Sequence, residues 1–253
     1  TGVGTSVALV VAKGTTTAEL ANGATIGGLG ALRIAALSRN GANTTALGGA
    51  NGTGVALAGA SAITVSTERT TARIGTGGKL VAAGDVLVEA EQVSPVTTTA
   101  RGAAEANDAA VGVVLALAIL DHAVRATTER DVAATGTITI RVGGASSAVT
   151  VAAASAGGAP GESAGNPGTP EQGSTATGNL ADARDFAAAS ESPAGGPSSV
   201  PATLPQPSTP AGTVSVAAAI AVTVHTSVAD VALNGVALTA SSVILDARHH
   251  DTA

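Results

Sequence analysis

A repeated segment of thirty residues limits what this chain can fold into more than any other feature of its sequence. Residues 61–90 (SAITVSTERTTARIGTGGKLVAAGDVLVEA) align without a gap with residues 7–36, 113–142 and 218–247. The first three copies follow each other at nearly equal intervals, and a longer interval precedes the fourth. Repeats of about fifty residues are typical of proteins in which each unit stacks on its neighbour. The sequence therefore predicts an array of stacked units.

Within the aligned copies, aliphatic residues recur at alternate positions. The columns that stay aliphatic or small are Ile63 (with Leu9, Leu115, Ile220), Val65 (Val11, Leu117, Val222), Val86 (Leu32, Ile138, Val243), Val88 (Ile34, Ile140, Leu245) and Ala90 (Ala36, Val142, Ala247). The intervening positions, such as Asp85, Leu87 and Glu89, vary freely. A period of two is typical of β-strands, whose successive side chains point to opposite faces. We interpret each aliphatic column as one ladder of the buried core.

The two periods together predict an all-β solenoid of parallel strands, because identical columns must lie above one another. Each coil would rise by about 4.8 Å, the spacing of paired strands. The pattern leaves open whether one unit makes two coils or three. The chain has one Phe and no Trp or Tyr, which agrees with a narrow interior filled by Val, Ile, Leu and Ala.

The repeats divide the chain into three segments. Residues 1–154 hold repeats one to three, residues 155–212 form a Pro/Gly/Ser-rich insert, and residues 213–253 hold repeat four, which continues the same solenoid. Asn22-Gly23 and Asn40-Gly41 are turn signals within the first repeat.

The insert contains every proline of the chain except Pro95, and also Phe186. Because proline removes a ladder donor, we expect the insert to be a loop or partly disordered, with a possible short helix in residues 179–190. The chain begins without Met and in mid-pattern, and its fourth repeat lacks a last strand. We therefore expect it to be a fragment of a longer protein.

Composition and charge exclude several classes of function. The chain has no Cys, so it has neither a disulfide framework nor a thiolate site. A net charge of −6 with 12% charged residues gives no basic footprint, and we expect no nucleic-acid partner. The longest apolar run, residues 109–120, is shorter than the roughly twenty residues of a spanning helix, so we expect no transmembrane segment. Its apolar outward positions suggest contact with another chain or with the insert.

Three stretches resemble a known family. Residues 52–65 (GTGVALAGASAITV), 83–91 (AGDVLVEAE) and 217–233 (AAAIAVTVHTSVADVAL) are similar to the Ala/Gly/Val/Thr-rich repeats of large bacterial filamentous and leukotoxin-like surface adhesins. Those proteins are related in style to filamentous haemagglutinin and autotransporter passengers. The resemblance covers everything but the insert and implies a right-handed parallel β-helix, exported and displayed at the bacterial cell surface. It includes no catalytic signature, so no functional residue is carried over.

Few residues are candidates for chemistry. Asp246, His249, His250 and Asp251 form a cluster of metal-ligand types. Adjacent strand residues point to opposite faces, so His249 and His250 do not easily share one ion, and we interpret the cluster as a solvated chain end. Asp121-His122 ends the apolar run, and His225 lies near the corresponding position of repeat four. We interpret these residues as polar groups beside a turn.

Other patterns are weaker still. Gly77-Gly78-Lys79 and Gly27-Gly28-Leu29 lack the aspartates of a calcium-binding repeat. Asn43 and Asn51 begin glycosylation tripeptides, which carry little weight in a bacterial protein. The threonines at 15–17, 44–45 and 97–99 raise an ice-binding hypothesis, but a regular Thr-x-Thr array is not seen. We therefore assign no catalytic, cofactor-binding or metal residue.

The leading hypothesis is a non-catalytic structural shaft of a secreted bacterial adhesin that mediates attachment or display. Its partners would be host or neighbouring-cell surface molecules, or itself through end-to-end or lateral assembly. The alternative is a self-assembling extracellular fibre or sheath subunit. A β-helix enzyme that acts on polysaccharide requires acidic and basic groups that converge in one groove, and no such group stands out in the sequence. If the chain did cleave a glycan, Asp121 and Asp131 would be the first residues to neutralise as a test.

Overall fold

The computed structural model describes residues 1–157 and 214–252. Throughout these residues the chain is all-β. The predicted insert lies outside the described residues, apart from its first three positions, which belong to a strand. The strands are β1 (Gly2–Leu20), β2 (Leu32–Arg39), β3 (Ala42–Gly52), β4 (Val55–Ile74), β5 (Leu80–Ala82), β6 (Val86–Ala106), β7 (Ala109–Thr128), β8 (Val132–Ala134), β9 (Thr137–Gly157), β10 (Val214–Leu233), β11 (Leu238–Thr239) and β12 (Ser242–Thr252).

All strand pairings are parallel, and the strands form three sheets. Sheet I has the order β1-β4-β7-β10 and sheet II the order β11-β8-β5. Sheet III has the order β12-β9-β6-β2, and β3 pairs with β6 beside β2. The prediction of parallel strands stacked unit on unit is confirmed, and this arrangement is compatible with a β-helix.

The chain returns to each sheet once per unit. Sheets I and III are long, and sheet II contributes strands of only two or three residues. In the first unit, an isolated bridge from Leu29 to Ala82 takes the place of a sheet II strand. Each unit therefore passes through each sheet once, which we call a single circuit, and neither of the possibilities that the pattern left open, two coils or three per unit, is observed. The strands are simply much longer than the segments that the turn signals suggested.

The register differs between the sheets. Val86 pairs with Ile138 in sheet III and Leu80 with Val132 in sheet II, as the sequence alignment predicts. In sheet I, however, Ser61 pairs with Leu115, whereas the alignment matches it with Val113. The connection from β7 to β8 is two residues shorter than the one from β4 to β5, and this absorbs the difference. The predicted gapless alignment is therefore wrong by two positions between β4 and β7.

The inward face of sheet I was also predicted wrongly. Ile63 and Val65 point outward, while Ala62 and Thr64 beside them are completely buried. In sheet III the prediction is correct, because Val86 and its alternate neighbours are buried. An outward aliphatic column looks the same as an inward one in sequence, since both follow the period of two.

Two kinds of core lie between the sheets. Along most of their length, sheets I and III pack face to face through small side chains, such as Ala62 and Ala116 against Ala46 and Ala100. Where sheet II closes the third side, the core becomes larger and aliphatic; its members include Ile34, Ile74, Leu80, Val86 and Val132. The small residues let the long sheets approach closely, and the larger residues fill the three-sided end.

A buried arginine holds the corner between sheets I and II. Arg130 donates hydrogen bonds to the backbone carbonyls of Ala21 (3.0 Å), Ala24 (2.6 Å), Gly75 (2.5 Å) and Thr76 (2.8 Å). These carbonyls belong to the first and second units, whereas Arg130 belongs to the third. The guanidinium therefore ties three successive units together.

Of the two turn signals in the first repeat, Asn22-Gly23 is confirmed and Asn40-Gly41 is wrong. Gly23 has a φ of 72°, a conformation that glycine adopts readily, and it follows Asn22 in a turn. Asn22 Oδ1 accepts a hydrogen bond of 3.0 Å from the backbone N–H of Thr76 in the next unit. Asn40-Gly41 separates β2 from β3, but both strands pair with β6 in the same register, so the chain does not turn there.

Candidate functional site

Polar residues cross the interior halfway along the long sheets, and His122 lies at their centre. Its Nε2 is 3.0 Å from the hydroxyl of Ser66 on sheet I, and its Nδ1 is 2.7 Å from the hydroxyl of Ser146 on sheet III. The His122 side chain is completely buried. The imidazole therefore forms a polar bridge between the two sheets.

Burial lowers the pKa of His122 from 6.5 to about 4, and repulsion from His225 adds to this effect. The two imidazole rings meet edge to face, with centroids 5.8 Å apart. A neutral imidazole has one donor and one acceptor nitrogen, and a hydroxyl can complement either. His122 is thus suited to remain neutral and hydrogen-bonded within the sheet interior.

Neighbouring polar side chains complete the same belt. Asn40 donates to Glu68 (2.8 Å) and to Ser38 (3.0 Å). Thr70 donates to Gln92 (3.0 Å) across the two sheets. All of these groups except Asn40 are buried. Because partners are close on both sheets, they stabilise one register of sheet I against sheet III.

The structure corrects the interpretation of Asp121-His122 as polar groups beside a turn. Strand β7 continues to Thr128, so both residues lie inside it. Asp121 points outward and forms an ion pair with Arg69, whereas His122 points inward. The apolar run misled the prediction because polar residues also occupy inward positions beyond its end.

The cluster at the end of the chain divides between two faces. His249 and Asp251 point inward beside His225, with distances of 2.5 Å from His249 Nε2 and 3.7 Å from His225 Nε2 to Asp251 Oδ1. His250 is exposed, and Asp246 accepts a hydrogen bond from Arg248. The prediction that His249 and His250 lie on opposite faces is confirmed. A purely solvated cluster is wrong, since the His249 side chain is only 19% exposed.

The other carboxylates singled out in the sequence have separate structural contacts. Asp131 Oδ1 accepts a hydrogen bond of 2.8 Å from the backbone N–H of Ala237 at a turn. Asp121 is held by Arg69 on the outside of sheet I. Within residues 1–157 and 214–252, no group of three His, Asp or Glu side chains is placed to hold a metal ion.

The threonines do not form one surface. Thr44 and Thr98 point inward and both contact the Thr64 hydroxyl, at 2.7 and 2.6 Å. Thr15 and Thr17 point outward on the opposite sheet. The ladders that suggested ice binding therefore belong partly to the interior. Asn43 and Asn51, which begin the glycosylation tripeptides, are exposed on β3.

Sequence reasoning missed two ion pairs on the outside of sheet III, in which the shared carboxylate is buried and both arginines are exposed. Glu89 is 2% exposed and binds both Arg33 (3.0 Å) and Arg141. Burial raises the pKa of Glu89, but the hydrogen bonds from Arg141 and Arg33 lower it by more, so it lies below its usual value of 4.5. The sequence did indicate the ion pair with Arg141, because the residues in register with Glu89 in the next two units are Arg141 and then Asp246. Charges of opposite sign therefore lie next to each other along this column of paired residues.

The largest unexplained feature is the outer surface of sheet I, which we call the apolar face. Its outward side chains are Val3, Val7, Leu9 and Val11 on β1; Val55, Leu57, Ile63 and Val65 on β4; Val111, Val113, Leu115, Leu117 and Ile119 on β7; and Val214, Val216, Ile220, Val222 and Val224 on β10. In the central strand β7, Val113 is still 50% exposed and Ile119 37% exposed.

Two depressions on the surface of sheet III are too small for most small-molecule ligands. Both are shallow and each encloses about 100 Å³, one beside Pro95 and Ser146 and the other beside Arg101 and Ala153. Sites for small molecules are usually about 300–1,000 Å³. No helix able to span a membrane occurs among the residues that the structure describes.

Comparison of the chain with protein-family models, with curated proteins and with solved structures finds no match in any of the three.

Proposed function

We propose that this chain is a shaft segment of a secreted bacterial surface adhesin, folded as a right-handed parallel β-helix and without catalytic activity. The observation that carries the proposal is the pairing of each unit with the next along nearly its whole length. Every residue of β1 pairs with a residue of β4, and every residue of β4 pairs with a residue of β7. Such stacking extends in one direction without a limit set by a closed core.

The filled interior supports the same proposal. Alanines occupy the narrow space between the long sheets, and the polar belt around His122 is hydrogen-bonded across it. A rigid, space-filled stack of such units transmits force and holds a binding region away from the cell. The resemblance to filamentous adhesins gives the extracellular location and the bacterial cell surface as the expected place of action.

Surface labelling tests the proposed location. Antibodies raised against the chain are expected to label intact cells of the organism that produces it, before permeabilisation. A matched antibody against a cytoplasmic marker should label only after permeabilisation. Labelling of this chain confined to permeabilised cells would rule out the proposed surface shaft.

A screen for glycan cleavage tests the non-catalytic part of the proposal. The purified chain is expected to release no reducing ends from acidic or neutral polysaccharides. The Asp121→Asn and Asp131→Asn variants serve as matched controls. Cleavage by the wild-type chain that either substitution abolishes would favour a β-helix enzyme instead.

The apolar face favours a second candidate, a self-assembling fibre or sheath subunit. Electron microscopy of the purified chain over a concentration series distinguishes the two. Separate particles of one size at every concentration support a shaft segment, whereas filaments that lengthen with concentration support a fibre subunit. The same series with residues 158–213 removed would show whether that segment promotes or blocks assembly.

A further inference from the structure

The apolar face is mainly aliphatic, and its uncharged outward positions also include Thr5, Gly59 and Ser61. All four strands of sheet I are parallel and in register, so outward side chains of successive units form straight columns. One column contains Leu9, Ile63, Leu117 and Val222, and the next contains Val11, Val65, Ile119 and Val224. Between the Val3 and Val11 columns, no outward position holds a charged residue.

The size of the apolar face matches a protein interface. It extends over about ten residues along the strands, roughly 33 Å, and over four strands, roughly 19 Å. The resulting area of about 600 Å² is at the upper end of what monomeric proteins expose. Two such faces together would bury about 1,200 Å², which is within the range of stable complexes.

We propose that the apolar face binds the same face of a second copy of this chain. Two sheets that pack face to face lie about 10 Å apart and interlock Val, Ile and Leu side chains, which are the residues present here. A surface that pairs with itself about a two-fold axis is complementary to its own copy, so no second kind of protein is required as a partner. The pairing specifies how the lateral assembly proposed above would occur, and the shaft proposal stands without it.

The charges beside the apolar face favour one orientation of the pair. The three columns that come after the Val11 column along the strands carry charged outward residues, which are Lys13, Arg69, Asp121, Arg125 and Asp230. The column at the centre of the apolar face, the Val7 column, consists of Val7, Ser61, Leu115 and Ile220. A two-fold axis that runs along this column, parallel to the stacking direction, superimposes apolar columns on apolar columns. The charged half of each copy then extends past the edge of the other and remains solvated.

The other two-fold axis, parallel to the strands, is less favourable. It would lay the charged halves over each other. Arg125 already pairs with Asp230, and Arg69 with Asp121, so these groups would lose water without gaining partners. The pair is therefore expected to have antiparallel strands, with each unit facing the same unit of the second copy.

Sedimentation velocity on the full chain tests the proposal. The wild-type chain is expected to be a dimer at micromolar concentration, and Leu117→Glu is expected to raise the dimer dissociation constant at least about 100-fold, because it buries an unpaired charge. The matched control is Ala123→Glu, on the same strand and face but outside the apolar face. It should remain a dimer, with circular dichroism unchanged in both variants.

A wild-type monomer would overturn the proposal, as would a Leu117→Glu dimer. A full chain that is monomeric but dimerises once residues 158–213 are removed would also overturn it, because the face would then be covered within one chain. None of these outcomes affects surface labelling, so failure of the pairing and failure of the shaft proposal remain distinguishable.

Cross-linking gives a second, independent test that does not depend on disrupting the face. The chain has no Cys, so a single introduced thiol reports one position. Ser61 lies in the Val7 column and would face its own copy at about 10 Å. Ser61→Cys is expected to form a covalent dimer with a short bismaleimide. Thr67→Cys, whose two copies would be roughly 40 Å apart, is expected not to. Equal cross-linking at both positions would contradict the proposed orientation.

Discussion

His122 shows how much one residue can depend on its place in a stack of strands. The sequence placed it after an apolar run, where a turn was expected, because an aliphatic run gives no sign of how far its strand continues. The structure buries it completely, between hydroxyls on two sheets. Its partners Ser66 and Ser146 are 56 and 24 residues away. Pairs at such distances follow from the register of the sheets and cannot be found from local patterns.

The buried imidazole predicts a dependence of stability on pH. His122 titrates at about 4 in the folded chain and at 6.5 in the unfolded chain. The unfolded state therefore binds more protons than the folded state between these two pH values. The contribution of His122 to the free energy of unfolding is fully present above pH 6.5 and is lost as the pH decreases towards 4. The loss amounts to about 3 kcal/mol. Urea denaturation at a series of pH values measures it.

His122→Gln is the matched variant, because glutamine keeps a donor and an acceptor but does not titrate. Its free energy of unfolding is expected to vary little between pH 6.5 and 4. Below that range both proteins should lose stability, since Glu89 has a lowered pKa and binds two arginines that it must release when protonated. Identical slopes for both proteins above pH 4.5 would contradict the role given to His122.

At the scale of the strand, the sequence predicted alternation correctly but assigned the wrong face of sheet I to the interior. The interior there is narrow and holds alanine and threonine, such as Ala116 and Thr64, while Ile63 and Leu117 point outward. The rule that larger aliphatic residues lie inside fails where two sheets approach closely. In sheet III, where sheet II widens the interior, the same rule succeeds for Val86 and Val88.

The two-residue shift in register has a similar cause. Moving a strand by two positions leaves every side chain on its original face. Aliphatic columns then match nearly as well as before, so an alignment based on them cannot detect the shift. Only the length of the connection between β7 and β8 carries the information.

A pair of alanine substitutions tests which face of β7 is buried. Ala116→Leu is expected to lower the free energy of unfolding by about 1–3 kcal/mol, because it forces extra methylene groups between two close sheets. Ala123→Leu, on the outward face of the same strand, is expected to change it by less than about 0.5 kcal/mol. The reverse order of effects would show that the sequence-based assignment of the faces was right. Thermal or urea unfolding of the two variants provides the measurement.

For the whole molecule, the sequence was sufficient to predict parallel strands stacked unit on unit, because a repeat with a period of two permits few other arrangements. It could not predict that each unit makes a single circuit. The turn signals at Asn22-Gly23 and Asn40-Gly41 suggested short strands, whereas β1 alone has 19 residues. Asn22-Gly23 does mark a turn, but Asn40-Gly41 only interrupts a strand, because the length of a strand depends on its pairing with the neighbouring units.

Removal of one unit tests whether the units are equivalent. Strands β1 and β7 both pair with β4 in the same register, so deleting residues 55–108 would let β1 pair directly with β7. The shortened chain is expected to remain folded, with parallel β circular dichroism and lower thermal stability. Deletion of residues 55–81, half a unit, is the control and is expected to unfold the chain. Equal disruption by both deletions would contradict a stack of equivalent units.

The most direct test of the single circuit is a disulfide between neighbouring units. Thr17 and Thr71 are paired outward residues on β1 and β4, and paired strands are about 4.8 Å apart, within the Cα range that a disulfide spans. In a chain without other thiols, Thr17→Cys with Thr71→Cys is expected to form an intramolecular disulfide on mild oxidation. Thr17→Cys with Asn43→Cys is expected to remain reduced, because Asn43 lies on sheet III. A disulfide in the second pair and not in the first would mean that each unit makes two circuits, and the account of the fold would be wrong.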